Sequence, residues 1–175
     1  MESGGIVRRI DELGRIVIPK ELRRTMRLRF GDEMEIFATN GSLILKKFNG
    51  YETIKNAVSA VTKSLAESVE ADVVVLDSSN VVAAEGEKKK KLVGAQIGGE
   101  LQKAVSSRRA AVLHGEDLKG VFEDVECECC YLVFEPIVKN GDSFGGIALL
   151  LNTLPSDVAR AYLKFCADLI GATLE

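Results

Sequence analysis

Residues 5–24 read GIVRRIDELGRIVIPKELRR, and the fold of the first third of the chain follows from this stretch. Over 5–11, Ile6, Arg8 and Ile10 share one face of an extended segment while Val7 and Arg9 share the other, which predicts a short strand. Gly14 breaks the pattern, and the β-branched run 15–18 resumes it. Pro19 suits the first turn of a short helix over 20–28, where Leu22 and Met26 stand four residues apart. Beyond a Gly31-Asp32 turn, the segments 34–39 and 42–48 flank Asn40-Gly41, the dipeptide favoured in tight hairpins.

The charge of the chain is divided in the same place. The formal net charge is −3, yet residues 1–50 hold 10 Lys and Arg against 7 Asp and Glu. Within 8–29 the count is 8 basic against 3 acidic side chains, and residues 51–175 carry 13 against 19. A basic head on an acidic body points to nucleic-acid contact confined to the head. Arg8 and Arg9 fall on opposite faces of the first strand, Arg15 opens the next, and Lys20, Arg23 and Arg24 lie on the helix. Guanidinium groups present planar donor forks suited to phosphates and guanine edges. A solvated, charged strand face is the alternative, and charge alone does not separate the two.

Fifty residues bury too little surface for a good core, since even about 60 residues hide only about 60% of what their unfolded chain exposes. Residues 1–50 contain no cysteine and no metal-ligand set to staple them. The head is therefore expected to borrow its core from a second copy, as an intertwined homodimer.

From Tyr51 the pattern changes. Ile54, Val58, Val61 and Leu65 form a helical seam over 51–69. Strands are expected at 72–76 and 81–84, a lysine loop at 88–91, a helix at 98–107, and strands at 111–114, 131–139 and 144–152, the last pair turning at Asn140-Gly141. A final helix capped by Ser156 or Asp157 carries Val158, Tyr162, Phe165 and Leu169 on one stripe. Helix, strands, helix, hairpin and helix describe an α+β sensor-like domain. The two helical stripes are expected to pack with a partner's equivalents, giving a tetramer, against the alternative that both cover their own sheet.

The run Gly5-x-Val7-Arg8-x-Ile10-Asp11-x-Leu13-Gly14-Arg15-Ile16-Val17-Ile18-Pro19, followed by Leu22-Arg23 and the hairpin, resembles the AbrB-type transition-state regulators. That resemblance covers nearly all of residues 3–50. It implies a swapped-hairpin dimer that binds double-stranded DNA through Arg8, Arg15, Arg23 and Arg24, with Arg9 and Lys20 completing the basic set. The element order of the body, with Gly145-Gly146-Ile147-Ala148-Leu149 after a hairpin, resembles a GAF domain. The implied architecture is a swapped-hairpin DNA-binding domain over 1–50 and a linking helix over 51–70. A GAF-like sensor or oligomerisation domain over 71–175 completes it. The implied function is a transcriptional regulator, activator and repressor, of late sporulation genes in a spore-forming bacterium. Its body is expected to modulate it, with an unidentified small-molecule effector conceivable and no resident cofactor. A protein-binding module of the antitoxin type, which shares the head, is the alternative.

Other classes find little support. No apolar run reaches the ~18 residues that cross a bilayer, and no basic-then-apolar leader opens the chain, so a cytoplasmic protein without a membrane partner is expected. Cys127-x-Cys129-Cys130, with His114 and Cys166, is a poor match to zinc spacing, and no metal site is expected. The thiols are read as buried or incidental, Lys88–Lys91 as a solvated loop, and the acidic residues 123–128 as an exposed loop. No nucleophile, Walker-type or H-E-x-x-H arrangement appears, and catalytic residues are not expected.

Overall fold

The computed structural model describes residues 5–28, 30, 32, 34–48, 50–123 and 125–174, and divides into two compact units, Met1–Phe48 and Asn49–Glu175. Gly31, half of the expected turn, lies outside the described residues.

The first unit holds one short helix, α1 (Lys20–Thr25), and a two-stranded antiparallel hairpin, β1 (Met34–Thr39) with β2 (Ser42–Lys47). Thr39 pairs with Ser42 across Asn40 and Gly41. Both turn residues take positive φ, 46° and 77°, the geometry that matches the twist of the flanking strands. Two expectations need correction. The helix stops at Thr25 rather than running to residue 28, because Arg27 turns left-handed (φ 53°) and the amide of Leu28 bonds back to the Arg23 carbonyl. Residues 5–11 and 15–18 belong to no ladder within the chain. A strand needs a hydrogen-bonded neighbour, and β1 and β2 are neighbours only to each other.

Packing in this unit is sparse. Among its described residues, Pro19 alone is buried. Val7 and Val17 are 88% and 74% exposed, and Ile6, Ile10, Ile16, Ile36, Leu43 and Ile44 also face solvent. Fully burying each such side chain is worth about 1.5–3 kcal/mol, so a single copy forgoes a large stabilisation.

The second unit contains its own core. Its sheet is antiparallel throughout, in the order β4 (Val81–Glu85), β3 (Asp72–Leu76), β7 (Asp142–Leu151), β6 (Tyr131–Lys139), β5 (Ala111–His114). Side-chain alternation divides its residues between two apolar layers. Val73, Val75, Val133, Ile147 and Leu149 face α2 (Lys55–Val69) and α5 (Asp157–Thr173). Val74, Leu76, Leu132, Phe134, Ala148 and Leu150 face α4 (Gly99–Ser107), the short α3 (Lys89–Leu92) and the loops around Phe122. Pro136 sits in β6 beyond the last residue that pairs with β5, where the strand has become an edge on that side.

The helices refine the expected pattern. α2 begins at Lys55, not residue 51; buried Tyr51 precedes it and donates its hydroxyl to the Phe144 carbonyl at 2.7 Å. Val58 and Leu65 are buried, with Ile54 and Val61 beside them, so this seam is consumed by its own sheet. α5 behaves oppositely. It starts on Ser156, whose hydroxyl accepts from the Ala159 amide at 3.1 Å. It buries Ala159, Leu163, Cys166, Ala167 and Ile170 and turns the expected stripe outward, with Val158 64%, Tyr162 50%, Phe165 62% and Leu169 40% exposed. The lysine stretch forms α3 rather than a loop.

Gly145 takes φ 103°, and a Cβ there would strike the Leu76 carbonyl oxygen; one on Gly146 would strike the Phe134 ring. Gly145→Ala should therefore destabilise the body by about 3 kcal/mol, through strain and close approach together. Urea denaturation of the full chain checks this, and a change below about 0.5 kcal/mol, the range of ordinary surface substitutions, would contradict it.

Candidate nucleic-acid interface

The basic residues of the head fall into three settings. Arg15 is fixed by a local device. Gly14, at φ 75°, closes a turn in which its amide bonds to the Asp11 carbonyl at 2.9 Å and the Asp11 amide bonds to the Arg15 carbonyl at 3.1 Å. Inside the turn, Asp11 Oδ1 accepts the amides of Leu13 (3.0 Å) and Arg15 (2.8 Å), while Oδ2 accepts Arg15 Nε at 2.8 Å. The Asp11 side chain thus holds the backbone and aims the guanidinium, which remains 70% exposed. One Nε–H is engaged, leaving the rest of a five-donor fork for a ligand.

Lys20, Arg23 and Arg24 form the second setting. α1 presents them around a shallow cleft of about 550 Å³ that Arg27 and Leu28 complete. Lys20, Arg23 and Arg24 are exposed. Arg23 and Arg24 occupy the last turn of α1, where a cation is favoured by the helix dipole. Arg8 and Arg9 are the third setting: both are exposed on the extended segment before the Asp11 turn, and neither lines that cleft. The single chain therefore gathers Lys20, Arg23 and Arg24, orients Arg15 separately, and leaves Arg8 and Arg9 apart.

Arg27 escaped the sequence reading. It lies in the same basic run, and the spacing 20, 23, 24 and 27 on the expected helix over 20–28 was the signal that groups it with Lys20, Arg23 and Arg24. The left-handed turn at Arg27 itself sets its direction.

The head and the body each have counterparts in known proteins. A family model described as stage V sporulation protein T C-terminal, transcription factor, matches residues 54–175. The chain is also 36% identical over 155 residues to stage V sporulation protein T of Bacillus subtilis (strain 168), spanning 85% of this chain and 84% of that one. The chain belongs to the stage V sporulation protein T family. Its head adds a 54% identity over 48 residues to the transition state regulatory protein AbrB of the same organism, spanning 27% of this chain and half of AbrB. A model described as antidote-toxin recognition MazE, bacterial antitoxin, matches residues 7–50. Among solved structures, the GAF domain from Acinetobacter phosphoenolpyruvate-protein phosphotransferase is 11% identical, covers 89% of this chain and 93% of that chain, and gives a TM-score of 0.53. A free methionine-R-sulfoxide reductase from Thermoplasma acidophilum is 18% identical, covers 70% and 93%, and gives 0.51. These two likenesses are of fold. This chain thus joins an AbrB-like head to a body of GAF-like fold. No helix among the described residues is long and apolar enough to cross a membrane.

The Asp11 carboxyl is held below the ordinary aspartate range, first by the Arg15 amide and then by the Arg15 guanidinium. Its contribution to the turn is therefore complete above the ordinary aspartate pKa and is lost as pH falls through the lower folded value. In an NMR titration of the full chain, the Leu13 and Arg15 amide signals should move together below the ordinary aspartate range. Asp11→Ala should abolish that transition; amides that titrate at the ordinary value would contradict the turn's role.

Proposed function

We propose that this protein is a DNA-binding transcription regulator of sporulation, acting through its head as a dimer. Arg8, Arg9, Arg15, Lys20, Arg23 and Arg24 of each copy contact the duplex, with Arg27 beside them. The observation that carries the reading is the exposed cationic surface around α1, on a head 54% identical to a transition-state regulator. Its residues form phosphate-directed forks and ammonium groups with few apolar neighbours in the cleft, so contacts to the DNA backbone dominate and site choice rests on DNA shape and deformability. Activation and repression then depend on where the site lies relative to a promoter.

The second copy follows from the exposed apolar residues of the head. Pairing the unladdered segments 5–11 and 15–18 with a partner's hairpin would supply both the missing strands and the missing core. It would also place two sets of arginines on one surface, able to follow both strands of a duplex.

The body supports a further level. The outward stripe Val158, Tyr162, Phe165 and Leu169 is spaced as a helical seam, and packing it on the same stripe of another copy would join two head dimers into a tetramer. The acidic body repels phosphate, so its effect on binding is geometric: two heads at fixed separation make the second engagement intramolecular, worth 10²–10⁴-fold in avidity. An effector in the body would tune that separation by its differential affinity for two arrangements. The match of the head to an antitoxin model supports a second reading as a protein-binding module, which predicts no salt-dependent DNA affinity.

Two measurements test this. Binding of the full chain to duplex DNA should weaken steeply with salt, and Arg15→Ala or Arg23→Ala should flatten the slope by about 0.9 for each phosphate contact removed. Slopes unchanged in both variants would contradict the interface. In sedimentation, Phe165→Glu should convert a tetramer to a dimer while folding is retained; a wild-type dimer at concentrations well above those of DNA binding would contradict the role of the stripe.

A further inference from the structure

The body holds an open cleft, of about 780 Å³, formed by the loops on either side of Phe122. Three of the residues lining it are Cys127, Cys129 and Cys130. The Sγ atoms of Cys127 and Cys129 lie 3.1 Å apart, a contact between thiols two residues apart that brings their sulfurs together on the cleft wall. Both are half-buried, whereas Cys130 is exposed and Cys166 is buried under α5. Among the described residues, no third His, Cys, Asp or Glu joins them in a metal-binding group, so a closed zinc site is not what the pair provides.

A cation is tethered beside the pair. Lys88, just before α3, donates its ammonium to the Glu128 carbonyl oxygen at 2.6 Å and lies 3.6 Å from Glu128 Oε2. Its own amide donates to Asp72 Oδ1 at 3.0 Å, anchoring the turn to β3. The residue between the two cysteines is thus pinned by a positive charge that is itself held in place.

We propose that Cys127 and Cys129 form a peroxide-responsive dithiol, in which Cys127 is oxidised first and Cys129 closes an intramolecular disulfide on the wall of the cleft. The asymmetry between the two sulfurs assigns the roles. The sulfur–sulfur hydrogen bond, then a backbone hydrogen bond from Cys129 and the charge of Lys88, hold the Cys127 thiol below its usual range. The same hydrogen bond, with burial, pushes Cys129 up. Cys127 therefore supplies the thiolate, the nucleophilic form, and Cys129 keeps the proton.

The chemistry balances with a hydroperoxide as the oxidant. The Cys127 thiolate attacks the terminal peroxide oxygen; a new S–O bond forms, the O–O bond breaks, and the remaining oxygen leaves as alkoxide or hydroxide and takes a proton from water. Cys127 is now a sulfenic acid. The Cys129 sulfur attacks it, the S–O bond breaks, and hydroxide leaves with the Cys129 proton as water. The two sulfurs together lose two electrons and the peroxide gains them. Because both cysteines line the cleft, the oxidation state of the pair sets the shape of one of its walls. Lys88 is a positioning residue here, since it acts through the loop and through its charge.

The test uses the full chain, reduced and freed of reductant, with hydrogen peroxide as the probe, alkylation of remaining thiols, and peptide mass mapping. The expected product is the Cys127–Cys129 disulfide within one chain, formed at least about tenfold faster than Cys166 is modified, and faster than the same pair in urea. Cys129→Ser should leave a Cys127 sulfenic acid that dimedone traps. Cys127→Ser should give no such adduct at Cys129, and Cys130→Ser should change neither. Lys88→Ala should slow the first step and Lys88→Arg should restore it. Three results would overturn the proposal: equal reaction rates in native and urea-unfolded chains, chains cross-linked through Cys130 as the main product, or a dimedone adduct on Cys129 instead of Cys127. The native-against-urea comparison uses the wild-type chain and stands whether or not a variant folds.

Discussion

Apolar surface without a partner is the constraint on which the head depends. Ile6, Val7, Ile10, Ile16 and Val17 lie along segments that would suit strands, yet all remain exposed in the single chain. The hairpin cannot cover them, since Ile36, Leu43 and Ile44 are themselves exposed. A free-standing two-stranded hairpin is at best marginal in water. An ordered head therefore calls for a second copy, and the basic residues inherit their arrangement from that requirement. Arg8 and Arg9 sit on the unladdered segment, so their direction is decided only when that segment pairs. Arg15 is different, because the Asp11 turn orients it before any partner arrives.

The body is built on the opposite principle. Two apolar layers, one on each face of a five-stranded sheet, are filled by its own helices, and Val73 to Leu76 are fully buried. Among the described helices of the body, α5 carries the largest exposed apolar stripe. It buries Leu163 and Ile170 together with the small residues Ala159, Cys166, Ala167 and Gly171, and leaves Val158, Tyr162, Phe165 and Leu169 outward. The helix is thus apolar on two sides, and the sheet covers one of them. A self-contained body with one apolar helix face suits association by surface docking, whereas the head suits association by exchange of strands.

Much of this was legible in the residues. Asn40-Gly41 and Asn140-Gly141 marked both hairpins because positive φ at two consecutive positions restricts the residues that fit. Ser156 marked the start of α5 because its hydroxyl can satisfy an otherwise unpaired amide. Periodicity found the helices but could not choose their buried faces. The spacing of Val158, Tyr162, Phe165 and Leu169 is as regular as that of Ile54, Val58, Val61 and Leu65, yet only the second set is covered by its own sheet. In α5 a second apolar set, Ala159, Leu163, Cys166, Ala167 and Ile170, competes for the sheet and takes it. The sequence likewise could not show that Cys127 and Cys129 meet, or that Lys88 crosses from β4's end to their loop, because that contact joins residues forty apart. In the head, alternation called for strands at 5–11 and 15–18, and a single chain has no neighbour to complete them.

Amide hydrogen exchange of the full chain, read alongside its mass in solution, addresses that last point most directly. Amides that belong to a paired strand are protected, and those of an unpaired segment exchange freely. If a second copy completes the head, the amides of residues 6–10 and 16–18 should be protected in the associated protein and should lose protection as dilution dissociates it. Free exchange of these amides in an associated protein, or protection that persists in a demonstrated monomer, would contradict the account.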